Sequence, residues 1–464
     1  MRLSVWLFGR PLRSDEEHHE QIGPAAGVPV LGLDALASAA YGPEAALTVL
    51  LPAGALASLY ITSITNWILL ILFAVSFSYR QTIAAYPDGG GSYTVAKKNL
   101  GLRRGLVAAS ALCTDYILNV AVAISAGVGA IVSAVPSLLP YTLPLCLGIL
   151  VLQTILNLRG VRTVGVAFMA PTYAFVACLA AAILGGVVKA LLANGHPVPV
   201  VAPPAMTTTA GTIATWLLLR AFASGCTAMT GVEAVSNAVP IFSEPRVQLA
   251  QRTLLIITLT LAFLLAGVAW LARIYHLHAT PPGEAGYQSV LSQMVGAVAG
   301  RGPFYYATMT VVLIVLALSA NTSFADFPRV CRLLALDGFL PPEFAHRGRR
   351  LVYTDGIVVL ASLAAILLVV PRRDRSTHSA LRRRSVPRVH HVAAWYGGAL
   401  AASPAGARRA TGAIGERGRC VLNGGRARHH CDLEVHRRRV ADGDRDSRVR
   451  RAVPRDQAIS GSYR

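Results

Sequence analysis

Three carboxylic acids fall inside stretches apolar enough to enter a membrane: Asp34 within 28–52, Asp115 within 103–134 and Glu233 within 212–241. A charged group at bilayer depth costs about 3 kcal/mol or more, so an acid held there normally serves a substrate, an ion or a proton path. Hydroxyls stand near them in sequence: Ser38, Tyr41, Tyr116, Ser125 and Thr230. Acids and hydroxyls together suit a dehydrated cation site built from oxygen ligands, or a proton relay. Taken singly, each acid is equally a structural group bonded to a neighbouring helix. Glu44 carries less weight because it falls close to the outer interface.

Two of these stretches are punctuated where a smooth helix would not be. The first contains Ser38-Ala-Ala-Tyr-Gly-Pro43 and the sixth Ser224-Gly-Cys-Thr-Ala-Met-Thr-Gly-Val-Glu-Ala-Val-Ser-Asn-Ala-Val-Pro240. Glycine tolerates unusual dihedrals and proline lacks a donor, so both segments should be discontinuous and free backbone groups near the midplane. Interrupted segments five apart are what a five-plus-five inverted repeat requires.

The chain as a whole agrees with a polytopic membrane protein. Of its 464 residues 54% are hydrophobic, and the mean hydropathy is +0.51. Windows of about 20 apolar residues predict nine helices, near 28–52, 57–79, 103–134, 142–158, 166–190, 212–241, 253–275, 304–325 and 352–370. Lysine and arginine cluster in the loops at 79–105, 159–165, 242–252 and 326–351 and are nearly absent from 135–141, 191–211 and 276–300, which puts the N-terminus in the cytoplasm. Residues 1–27 then form a cytoplasmic N-terminal segment and 28–370 the transmembrane domain.

Several other functions are excluded. The seven cysteines are scattered without a Cys-x-x-Cys pair, so neither a zinc site nor a disulfide framework is supported. Gly89-Gly-Gly-Ser92 lacks the Lys-Ser/Thr of a phosphate loop and reads as a flexible connection. His276 and His278 read as a surface pair. No hydrolytic arrangement stands out, and no metal, cofactor or enzymatic activity is expected.

The net charge of +20 is concentrated in one region. Residues 371–464 hold 22 arginines, no lysine and 8 acids, a net of +14, which leaves +6 for the rest. This tail has no hydrophobic periodicity and no nucleic-acid-binding motif, so little stable structure and no nucleic-acid partner are expected. Read one nucleotide later, the codons of 381–398 can encode an apolar stretch, and Trp395-Tyr396 then forces a glycine. The expectation is an out-of-frame tail, the alternative a disordered arginine-rich extension.

Five stretches carry a resemblance: Gly32–Glu44, Tyr86–Tyr93, Asp115–Val122, Thr230–Asn237 and Asn321–Pro328. Jointly they resemble the amino acid-polyamine-organocation (APC) superfamily, and within it the KimA-type potassium/proton symporters. The resemblance implies a LeuT-like fold of twelve helices, here truncated after about nine. It implies cation uptake coupled to protons across a bacterial inner membrane, with a homodimer where the C-terminus is intact. By position, Asp34, Tyr41, Asp115, Tyr116, Ser125, Thr230 and Glu233 match the family's ion site. Asn119 departs from the threonine that potassium importers of this type tend to carry, which leaves the transported ion less secure than the family. An amino acid/proton symporter and a non-transporting fragment are the alternative readings.

Overall fold

A computed structural model describes residues 22–159, 164–204, 214–281, 283–284, 286–346 and 353–370. The tail at 371–464 and most of the N-terminal segment lie outside the described residues. Among those described, regular structure is helical, and the only bridge is the isolated pair Ile22 and Phe242.

The first apolar stretch breaks into α1 (Pro24–Leu31), α2 (Leu33–Ala37) and α3 (Gly42–Val49). Long helices follow: α4 (Ala57–Ala85), the short α5 (Ser92–Leu100), α6 (Leu102–Ala134), α7 (Thr142–Arg159) and α8 (Val164–Leu192). The sixth stretch breaks into α9 (Thr215–Gly225), a tight turn at Cys226–Met229 and α10 (Ala234–Asn237). Then come α11 (Arg246–Ile274), α12 (Val290–Ala299), α13 (Pro303–Leu336) and α14 (Thr354–Val369). Six helices among the described residues are long and apolar enough to cross a membrane. The chain is a multi-pass membrane protein with the LeuT-like layout, its broken elements being the first and sixth apolar segments.

The apolar side chains sort into two clusters. One joins α1–α4, α8, α11 and α12, with Leu33, Leu36, Ile61, Phe175, Ile257 and Leu264 fully buried. The other joins α6, α7, α13 and α14 around Ile124, Cys146, Ala320 and Leu360. The broken segments are held against the long pair α6 and α13, and the polar site occupies the seam.

Two elements differ from the sequence reading. The eighth apolar stretch, expected to stop at 325, continues as helix to Leu336, because the polar residues Asp326 and Arg329 pair with each other one turn apart (3.1 Å) and need no loop. The connection at 276–300, read as a loop, contains α12. Its Val290, Leu291, Met294, Val295 and Val298 recur at helical spacing and are buried, and Ser289 caps it by accepting from Ser292 N at 3.2 Å. At 10 residues the helix is too short for a window of 20 to register.

Candidate functional site

Asp34 lies on α2, immediately before the first break, and is 4% exposed. Gly231, in the second break, brings the other segment against it. Its φ is +81, and a Cβ there would lie 2.8 Å from the Asp34 Cβ and 3.0 Å from Ala35 N. Only glycine accepts both the left-handed conformation and that contact. Gly42 permits a second close approach, where a Cβ would meet the Ala228 Cβ at 2.5 Å. The Ser38 hydroxyl, 2.6 Å from both Ala35 O and Ala228 O, ties the two breaks together.

Asn119 of α6 is the polar hub. Its Nδ2 donates to Asp34 Oδ2 (2.8 Å) and to Ser323 Oγ of α13 (3.1 Å), while its Oδ1 accepts from Tyr41 Oη at 3.4 Å. Tyr41 Oη also lies 3.4 Å from Thr230 Oγ1. Asp34 Oδ1 and Tyr116 Oη are buried and have no hydrogen-bond partner among the described residues. Such groups are rare in folded proteins, and here they leave polar atoms free to meet a ligand.

Asp115 and Glu233 are half-buried and sense each other's charge and that of Asp34. Asp326 of α13 joins this electrostatic group, facing both Asp34 and Glu233. Its partner, Arg329, is 60% exposed. Four carboxylates thus converge with one cation at their edge, an arrangement that favours binding positive charge.

The sequence-predicted residues Asp34, Tyr41, Asp115, Tyr116, Thr230 and Glu233 surround this seam. Ser125 does not join them: its hydroxyl is bonded to Ala121 O of its own helix, and it faces Cys146 of α7. Sequence reasoning passed over Asp326 and Ser323, and it noted Asn119 only as a departure. The available signal was an acid between two buried phenylalanines, Phe324 and Phe327.

The ends of the site differ. At one, Glu44 accepts from Tyr287 Oη (3.0 Å) and from Val290 N at the start of α12 (3.3 Å), sealing α3 against the buried loop helix. His278, expected at the surface, is buried there, with Gln293 Nε2 donating to its carbonyl at 2.8 Å. At the other end the Gly89–Gly91 turn is clasped to α10. Gly90 N donates to Ser236 O (3.0 Å), and a Cβ on Gly91 would lie 2.8 Å from Asn237 Oδ1. The glycines here permit close backbone approach, where a flexible connection was expected.

Comparison with known proteins bears on this geometry. Residues 37–381 match the family described as amino acid permease. The potassium transporter KimA of Bacillus subtilis (strain 168) is 39% identical over 369 residues, which cover 79% of this chain and 59% of that protein. The chain therefore spans about three fifths of the length of the curated relative it matches.

Proposed function

Since the chain belongs to the amino acid permease family of the APC superfamily, we propose that it is a secondary active transporter that takes up potassium together with protons. The observation that carries this reading is the buried Asp34, whose second oxygen has no partner, at the junction of two broken helices beside Asp115, Glu233 and Asp326. A dehydrated monovalent cation would take Asp34 Oδ1, Tyr41 and Thr230 as oxygen ligands near the midplane. Asp115 and Glu233, which are less deeply buried than Asp34, would carry or pass protons. Alternating access would rock the α1–α4, α9–α11 bundle against α6, α7 and α13, opening the Glu44 end only when its hydrogen bonds to Tyr287 and α12 break.

Uptake of potassium or rubidium into potassium-limited cells, or into liposomes with an imposed proton gradient, tests the assignment. Accumulation of an amino acid with no cation flux would overturn it in favour of an amino acid/proton symporter. The orientation proposed puts residues 88–92 in the cytoplasm and 195–204 outside, so cysteines introduced in the two loops should label from opposite faces. In this reading residues 371–464 are no part of the transport domain. Sequencing the coding DNA around codon 370 tests whether they are out of frame, and restored uptake after a single-nucleotide repair would support it.

A further inference from the structure

Away from the transport site, two adjoining cavities open on the side of the bundle where α4, α8 and α11 meet. The first, about 300 Å³, is lined by Thr62, Asn66, Ile183, Val187, Phe263 and Ala266, with Trp270 at its edge. The second, about 370 Å³, shares Trp270 and is lined by Leu59, His196, Arg273 and His276. Both lie toward the end of the bundle where α4 begins and α8 and α11 finish. The first is an apolar furrow at membrane depth. The second is a basic pocket at the membrane edge.

We propose that this paired cavity binds one anionic phospholipid, its phosphate at Arg273, His276 and His196, its ester region beside Trp270, Thr62 and Asn66, and an acyl chain along Phe263, Ile183 and Val187. Three observations converge. Arg273 is exposed, and no carboxylate among the described residues lies within salt-bridge distance of it, so a positive charge stands uncompensated at the rim. The Thr62 hydroxyl is buried with no partner among the described residues, although it lies in a furrow that is otherwise largely apolar. Trp270 sits between the two zones, as interfacial tryptophans do. A choline or ethanolamine group would bring a second cation toward Arg273, so the furrow favours a headgroup without one.

The test uses the full chain in nanodiscs of phosphatidylcholine containing one fifth phosphatidylglycerol, with a photo-crosslinking amino acid in place of Phe263 or, as a control, of Leu184. Leu184 is exposed on α8 outside the furrow. Phosphatidylglycerol adducts at position 263 should exceed their share of the bilayer at least fivefold, and those at 184 should match it. Arg273→Gln should bring the 263 ratio down to the bulk value, Arg273→Lys should keep most of it, and Ala266→Trp should lower total adducts by filling the furrow. The arginine-rich tail is present in every arm, so only differences between positions and variants count. Bulk ratios at both positions, or an unchanged ratio in Arg273→Gln, would overturn the proposal. Displacement of the lipid by millimolar inorganic phosphate would overturn it too, because the pocket would then be a plain anion site. The comparison between positions 263 and 184 needs no second substitution to be decisive.

Discussion

Asp34 and Glu44 stand ten residues apart on the same interrupted segment, and each is 4% exposed, yet their surroundings are opposite. Glu44 receives a phenol and the N-terminal amide of α12, so its charge is met by donors and by a helix dipole. Asp34 receives one amide from Asn119, and its other oxygen has no hydrogen-bond partner among the described residues. Burial therefore does not tell these two acids apart. Satisfaction does, because an unmet carboxyl in a low-dielectric site is left to take up a proton or a ligand.

The contrast is broken most directly by amide substitutions at both positions. Asp34→Asn should cut potassium uptake by about two orders of magnitude while the protein stays inserted and melts near the wild-type temperature, since a neutral amide is cheaper at that depth. Glu44→Gln should do the reverse. Losing charge-assisted hydrogen bonds should cost about 2–3 kcal/mol of stability, read as a lower melting temperature in detergent, with uptake per folded molecule within about threefold of wild type. Equal loss of uptake in both variants, with no difference in stability, would erase the distinction.

The sequence made part of this legible. Acids in apolar stretches and Gly/Pro interruptions point to the two breaks and to six of the residues around the seam, because those signals are local. The difference between Asp34 and Glu44 is not local: it depends on Asn119, 85 residues from Asp34, and on Tyr287, 243 residues from Glu44. Asp326 was hidden because its i,i+3 partner Arg329 made the region resemble a basic loop. Ser125 was included as a hydroxyl near the acids in sequence and by its match to the family's ion site, whereas in the structure its hydroxyl bonds its own backbone. α12 escaped because a buried helix of ten residues looks, in a long window, like an ordinary connection.

The contact that holds Asp34 in place gives a sharper, smaller test. Gly231→Ala would force a side chain into a left-handed φ and against the Asp34 Cβ, so it should cost about 1–3 kcal/mol and lower uptake together. Gly195 has φ +84 with nothing within 4 Å of a Cβ, so Gly195→Ala should incur the backbone strain alone and leave uptake intact. If both variants lost uptake alike, the closeness of the two breaks would not be what positions Asp34.

The smallest effect concerns a third carboxylate, Asp337, just past α13 and outside the membrane-length helices. Lys97 Nζ lies 2.6 Å from Asp337 Oδ1, and Tyr93 Oη donates to Oδ2, so α5 is moored to the end of α13 by one residue. These two donors, Lys97 first, hold the Asp337 carboxyl below the ordinary carboxylate range. Burial, then the bond to Asp337, pushes the Tyr93 phenol up to about 12, so it remains a donor throughout the useful pH range. Because the folded form binds the proton less readily than an unfolded chain, the mooring contributes fully above the unfolded value of about 4 and is lost as pH falls through the lower folded value. The pair is partly solvated, so the expected change is local rather than global. Protection of the amides across 92–100, taken relative to the intrinsic exchange rate at each pH, should be high at pH 6 and fall below about pH 4, whereas in Asp337→Asn it should be low at both, with uptake at neutral pH little altered. An unchanged exchange profile in that variant would show that α5 is held by packing and that, of the three carboxylates, this one anchors nothing.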